Sequence, residues 1–140
     1  MTPLEPQPGA LATVERIVAE GDLASAFTPA STDAFPRVLA TARMIALMEI
    51  AAARVLQPFL AQGEMSVGVT VETTHTAATP HGATVRAHAR YVGRDRKFHV
   101  FEVWAEDGSG EIGRGTHSRA IVERARLEAS AAKRRGAART

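Results

Sequence analysis

At 140 residues, 45% hydrophobic and 23% charged, the chain has the proportions of one globular domain and is too apolar to be disordered. It has no cysteine, which excludes disulfides, zinc–cysteine sites and thiol catalysis and makes a cytoplasmic location the default expectation. The formal net charge is only +2, with basic residues gathered at Lys133, Arg134, Arg135 and Arg139; this reads as a solvated end, and no nucleic-acid partner is expected.

The N-terminal stretch MTPLEPQPGALATVER has no basic segment followed by an apolar run, so no signal peptide is expected. Residues 1–9 carry three prolines and a glycine and read as an irregular lead-in. Leu11 to Glu20 is ambiguous by pattern, and the β-branched Thr13, Val14, Ile17 and Val18 favour a strand. Gly21 to Pro36, rich in Ala, Ser, Thr and Pro, predicts a long loop with at most a short helical turn, a length typical of lids and binding loops.

Helix formers dominate Ala40 to Leu60, with Thr41 at the N-cap or in the first turn and Pro58 marking the end. The most apolar run, Met44 to Leu60, is broken by Glu49 and Arg54 and is too short to span a bilayer, so no membrane partner is expected. Beyond Gln62-Gly63-Glu64 the period becomes two: Val67, Val69, Val71, Thr73 and His75 share one face of a strand from Ser66 to His75. A turn at Pro80-His81-Gly82 precedes a second strand from Ala83 to Val92. Gly93 to Arg96 closes a hairpin onto a third strand from Lys97 to Glu106. Asp107 to Gly110 turns into a fourth from Glu111 to Val122. Consecutive strands with short turns predict an antiparallel meander, and Glu123 onward reads as helix fading into a disordered tail. The sum is an α+β fold, one long helix on an antiparallel sheet of about five strands.

Three features mislead. Gly108 to Gly113 (GSGEIG) has the spacing of a dinucleotide fingerprint, but it begins at a hairpin turn and is followed by strand rather than helix. The five histidines, His75, His81, His88, His99 and His117, include no helical ligand pair, so no metal is expected; His88 and His99 read as surface or cross-strand residues. Arg86, Arg90, Arg94, Arg96 and Lys97 read as a solvated sheet edge.

Glu49 is out of place. It sits between Leu47, Met48, Ile50 and Ala51, and shares a helical stripe with Thr41, Ile45 and Ala52. A carboxylate on an apolar face is costly unless paired, so it either reaches water or Arg43 or Arg54 at the rim, or serves as a general base or nucleophile. His75, on a strand face turned toward the helix or a partner subunit, offers a proton shuttle, and Thr41 a hydroxyl.

The strings FPRVLATARMIALMEIAAARVL, THTAATPHG (Thr74 to Gly82) and DGSGEIGRGTHSRAIV resemble the hotdog-fold thioesterases, in particular the fluoroacetyl-CoA thioesterase group, over roughly residues 9 to 125. The resemblance implies a hotdog domain over 10–125, between the lead-in and a basic tail over 126–140. It implies a homodimer, or a higher assembly built on one, with active sites at the dimer interface. It also implies catalytic Thr41, Glu49 and His75, and substrate contacts from Phe35, Gly68, Gly82 and Arg119. Phe35 matches one of two lid phenylalanines, with Thr32 where the other would stand; Ala42 replaces a glycine and His81 a proline. The implied reaction is hydrolysis of a short-chain acyl-CoA thioester, fluoroacetyl-CoA being one candidate. Glu49 would act as nucleophile or as base for water, and no cofactor is called for, since CoA belongs to the substrate. The competing expectation is a hotdog protein that binds an acyl-CoA or another small ligand without turning it over.

Overall fold

A computed structural model describes residues 4–137. The first three residues of the lead-in and the last three of the tail, including Arg139, lie outside the described residues. Strand β1 (Leu11–Ile17) leads through two short 3₁₀ turns, Glu20–Asp22 and Ala24–Phe27, to helix α1 (Thr41–Leu56). Strands β2 (Glu64–His75), β3 (Thr84–Asp95), β4 (Phe98–Asp107) and β5 (Gly110–Glu123) follow, then helix α2 (Arg124–Ala137). The five strands form one antiparallel sheet in the order β1-β3-β4-β5-β2.

Alternation decides which side of the sheet is the core. Val85, Ala87, Ala89 and Tyr91 of β3, with Phe101, Val103 and Ala105 of β4, point inward at every second position and are buried. Onto them α1 lays Met44, Leu47, Met48, Ala51, Ala52, Val55 and Leu56, at the three- and four-residue spacing of one helical face. All five strands touch α1, so the sheet wraps it. Facing alanines let the helix approach closely, while Tyr91 and Phe101 meet edge to face at 5.4 Å. Each large side chain buried there contributes about 1.5–3 kcal/mol.

Several expectations are corrected. Regular helix starts at Thr41, with Ala40 as its cap, and ends at Leu56; Pro58 turns the next three residues into a 3₁₀ turn. Only β3, β4 and β5 form the meander. Strand β2 lies at the far edge on β5, because β3 is already flanked by β1 and β4. The β3 strand continues through Gly93 to Asp95, and Arg96, at φ 59°, makes the turn. His99 is a core residue, its Nδ1 2.8 Å from the buried Tyr91 hydroxyl, whereas His88 bridges strands to Glu106. The tail that reads as fading into disorder is helical through Ala137, and exposed throughout its described side chains.

The single face assigned to Val67, Val69, Val71, Thr73 and His75 is broken by a bulge. Gly68 pairs with Arg119 and Thr70 with Ser118, leaving Val69 without a partner. The extra residue shifts the phase. Ser66 and Gly68 face α1 before the bulge, and Val71, Thr73 and His75 after it, so Val67 points to the other side.

Candidate active site

Helix α1 begins without a side-chain cap, since Ala40 has no oxygen to offer its first amides. The Ala40 N–H donates to the Asp22 carbonyl at 2.9 Å and the Leu39 N–H to that of Thr79 at 2.8 Å. Arg43 and Met44 donate to the Ala40 carbonyl. The amides of Thr41 and Ala42 have no acceptor among the described residues, and both residues line a cavity of about 570 Å³. Phe27, Phe35 and Leu39 supply much of its apolar wall.

His75, at the end of β2, opens onto the same cavity. Its Nδ1 lies 2.7 Å from the Thr41 hydroxyl, while Nε2 is buried without a hydrogen-bond partner among the described residues. Burial lowers the His75 pKa, with a backbone contact to Ala77 acting the other way, so the neutral ring is favoured. A buried ring nitrogen left unsatisfied costs about 1–3 kcal/mol, which is tolerated most readily where a ligand completes the bond.

The loop that covers this cavity is tied to the helix start by Asp22, which is fully buried. Its carboxylate accepts from Arg16 Nε at 2.7 Å, the Ala19 N–H at 2.9 Å and Arg43 Nε at 2.6 Å. Burial opposes its charge, but these donors win and hold the carboxyl at about 2.

Glu49 belongs to a second cluster, two helical turns from Thr41, or about 12 Å of helix rise. It pairs with neither Arg43 nor Arg54. Arg119 Nη1 is 3.4 Å from its Oε2, and a Cβ on Gly68 would stand 3.3–3.4 Å from its carboxylate. Arg119 is buried and also donates to Ser66 Oγ and the Ser66 carbonyl, both at 2.9 Å. Its Nη1 lies 3.1 Å from His117 Nε2.

Of the residues singled out from sequence, Thr41, His75 and Phe35 thus meet at the cavity, and Glu49, Gly68 and Arg119 meet beside it; one chain does not bring the two groups into contact. Gly82 sits in a turn at φ +87° with open space around it and does not line the cavity. Sequence reasoning passed over Asp22, Ser66 and His117. The alternation His117-x-Arg119 was the one available signal, since it places both side chains on the helix-facing side of β5.

Comparison with known proteins identifies the family and the fold. The family model described as FlK, fluoroacetyl-CoA-specific thioesterase, matches residues 18–125. Fluoroacetyl-CoA thioesterase from Streptantibioticus cattleyicolor is 46% identical over 88 residues, which are 63% of this chain and 63% of that protein, so the chain matches less than two thirds of that relative. A solved structure of an FlK variant in complex with acetyl-CoA superposes with a TM-score of 0.86 at 35% identity, over 91% of this chain and 98% of that one. A Thermus thermophilus protein described as a thioesterase superfamily member gives 0.83 at 29% identity, over 99% of both chains.

Proposed function

Because the chain belongs to the fluoroacetyl-CoA thioesterase family, within the hotdog thioesterase superfamily, we propose that it hydrolyses a short-chain acyl-CoA thioester, with fluoroacetyl-CoA among the candidate substrates. The observation that carries this is the pairing at the mouth of the cavity. Next to the unpartnered amides of Thr41 and Ala42, His75 keeps Nδ1 on the Thr41 hydroxyl and turns a free Nε2 inward.

The acyl group enters the apolar cavity, and its carbonyl oxygen lies against the Thr41 and Ala42 amides. These stabilise the negative charge that develops on that oxygen as the carbonyl is attacked. Glu49 supplies the carboxylate, either attacking the carbonyl to form an anhydride or taking a proton from water. His75, neutral at the start, gains a proton from the water, directly where Glu49 is the nucleophile and by way of Glu49 where Glu49 is the base, and passes it to the departing thiolate. Phe35 walls the acyl group, and Gly68 leaves space for the Glu49 carboxylate. Arg119 holds that carboxylate, and Gly82 turns the chain after the His75 strand. CoA is part of the substrate, and the residues invoked need no further cofactor.

The separation of Glu49 from His75 within one chain points to a homodimer. Strand β2 is a sheet edge, with Val69 and Val71 exposed on it. Antiparallel pairing of β2 with its copy, centred near Val71 and allowing for the bulge, sets the helix-facing His75 of one copy opposite the helix-facing stretch from Ser66 to Gly68 of the other. That register lies next to Gly68 and Glu49, so each site draws Thr41 and His75 from one chain and Glu49 from the other. The location we propose is cytoplasmic; among the described residues no helix is long and apolar enough to cross a membrane.

Thiol release from acetyl-, fluoroacetyl- and longer acyl-CoAs, for the wild type and for Glu49→Gln and His75→Ala, tests the proposal. Turnover that collapses in both folded variants supports it. Tight ester binding with no release from any substrate overturns it and leaves a ligand-binding hotdog protein.

A further inference from the structure

One buried side chain beside Glu49, that of His117, has no part in the reaction just described. Arg119 Nη1 faces two groups at once, Glu49 Oε2 at 3.4 Å and His117 Nε2 at 3.1 Å. A guanidinium only donates, so His117 Nε2 must be unprotonated and accept. The other ring nitrogen agrees: Nδ1 lies 2.7 Å from the Thr70 carbonyl, an acceptor, and must carry the hydrogen. The tautomer is therefore set from both sides, by a donor on one nitrogen and an acceptor on the other. Thr70 immediately follows the β2 bulge, so the interruption next to Gly68 also places the carbonyl that locks His117.

We propose that His117 is a positioning residue. Locked in its Nδ1–H form between the Thr70 carbonyl and Arg119, it fixes the guanidinium that in turn holds the Glu49 carboxylate in its working rotamer. This role rests on the hydrolase function proposed above. The carboxylate needs such a restraint because it is 41% exposed, on a flexible side chain. The restraint itself is sheltered, since the Arg119 side chain is only 7% exposed and is also clamped on both sides of Ser66.

The arrangement works only with a neutral ring. Protonated Nε2 would turn a donor toward a donor and set a positive charge beside the guanidinium. The charged groups facing His117 are Arg119 on its own strand, which opposes protonation, and Glu49 on α1, which favours it; β2 presents the Thr70 carbonyl and β4 the ring of Phe101. Burial is the largest effect and, with Arg119, lowers the His117 pKa against the opposing pull of the Thr70 carbonyl and Glu49, so the neutral ring is favoured.

Two variants and one spectroscopic measurement test this. Gln at 117 can still place an acceptor near Arg119, whereas Leu fills similar space with none. For His117→Leu we expect kcat to fall about tenfold or more with KM changed less than about threefold, and for His117→Gln most of kcat to return. Glu49→Gln should mask the His117→Leu loss in the double variant. Ring ¹⁵N NMR of the wild type should show the Nδ1–H tautomer, and Arg119 side-chain NMR should show hindered guanidinium rotation that His117→Leu releases. Equal losses in both variants tracking a lowered Tm, unchanged kcat in His117→Leu, or an Nε2–H tautomer would each overturn the inference. If the wild type hydrolyses no ester, the hydrolase function fails; the NMR results still decide whether His117 restrains Arg119.

Discussion

Thr41 Oγ1 and His75 Nδ1, 34 residues apart in the chain, meet at 2.7 Å where the start of α1 crosses the end of β2. This contact orients the imidazole so that its second nitrogen faces the cavity. Thr41→Ala removes it and should lower kcat/KM by about tenfold or more, since one net hydrogen bond is worth about 0.5–1.5 kcal/mol and misorientation of the ring adds to the loss. Thr41→Ser keeps the hydroxyl and should retain most activity. Steady-state kinetics on both variants, with Tm as a control for folding, decides the matter.

The pH profile should carry the burial of His75. A ring whose pKa is lowered by burial stays neutral at pH 7 and gains its proton only below the ordinary histidine value of about 6.5. Activity that needs the neutral ring is therefore level near neutrality and falls on the acid side of about 6.5. A limb centred above that value would show that the site does not desolvate His75.

Asp22 should govern acid stability. Its carboxyl is held at about 2, against 3.8 when unperturbed, so the folded state binds that proton less readily than the unfolded chain. The resulting stabilisation is fully present above the unfolded value and is lost as pH falls from about 4 through about 2. Asp22→Ala should cost about 2–3 kcal/mol at neutral pH, because Arg16 and Arg43 can still reach water once the carboxylate is gone. It should also flatten the dependence of the unfolding free energy on pH in that window. Urea unfolding of both proteins between pH 2 and 7 measures both effects.

Two glycines on neighbouring strands should respond differently to alanine. At Gly68 the added methyl stands 3.3–3.4 Å from the Glu49 carboxylate, which can swing aside, so the fold should survive while kcat drops about tenfold. At Gly115 the methyl would collide with the Glu72 carbonyl, a backbone atom of the adjacent strand that cannot move without breaking the β2–β5 ladder. Gly115→Ala should therefore fail to fold or unfold cooperatively at a much lower temperature. Circular dichroism melts beside kinetics separate the two cases.

The β2 edge offers a test of assembly. Val69→Lys puts a charge on an exposed apolar edge position outside the core, so it should leave the folded domain intact and block antiparallel pairing with a second copy. Sedimentation should then show a monomer, with activity lost because His75 and Glu49 no longer share a site. A Val69→Lys monomer with full activity would place both residues in one chain's site.

Local patterning was enough for the coarse architecture. The 3.6-residue period of α1, the alternation in β3 and β4 and the glycine turns between strands specify one helix and a run of antiparallel strands, because these signals depend only on neighbours in the chain. The same patterning exposed Glu49 as a charge in an apolar stripe and His75 on an inward strand face. Pairing across the sheet was not legible: β2 joins β5 rather than β3 because β1 and β4 already occupy both edges of β3. Nor was the bulge at Val69, whose one extra residue reverses which side of β2 faces the helix. Asp22 lay unremarked in a loop until folding buried it between two arginines, and His117 had no assigned place until Thr70 and Arg119 closed on its two nitrogens. The deciding contacts, Arg43 with Asp22 and His117 with the Thr70 carbonyl, join residues 21 and 47 positions apart, so tertiary packing alone decides them.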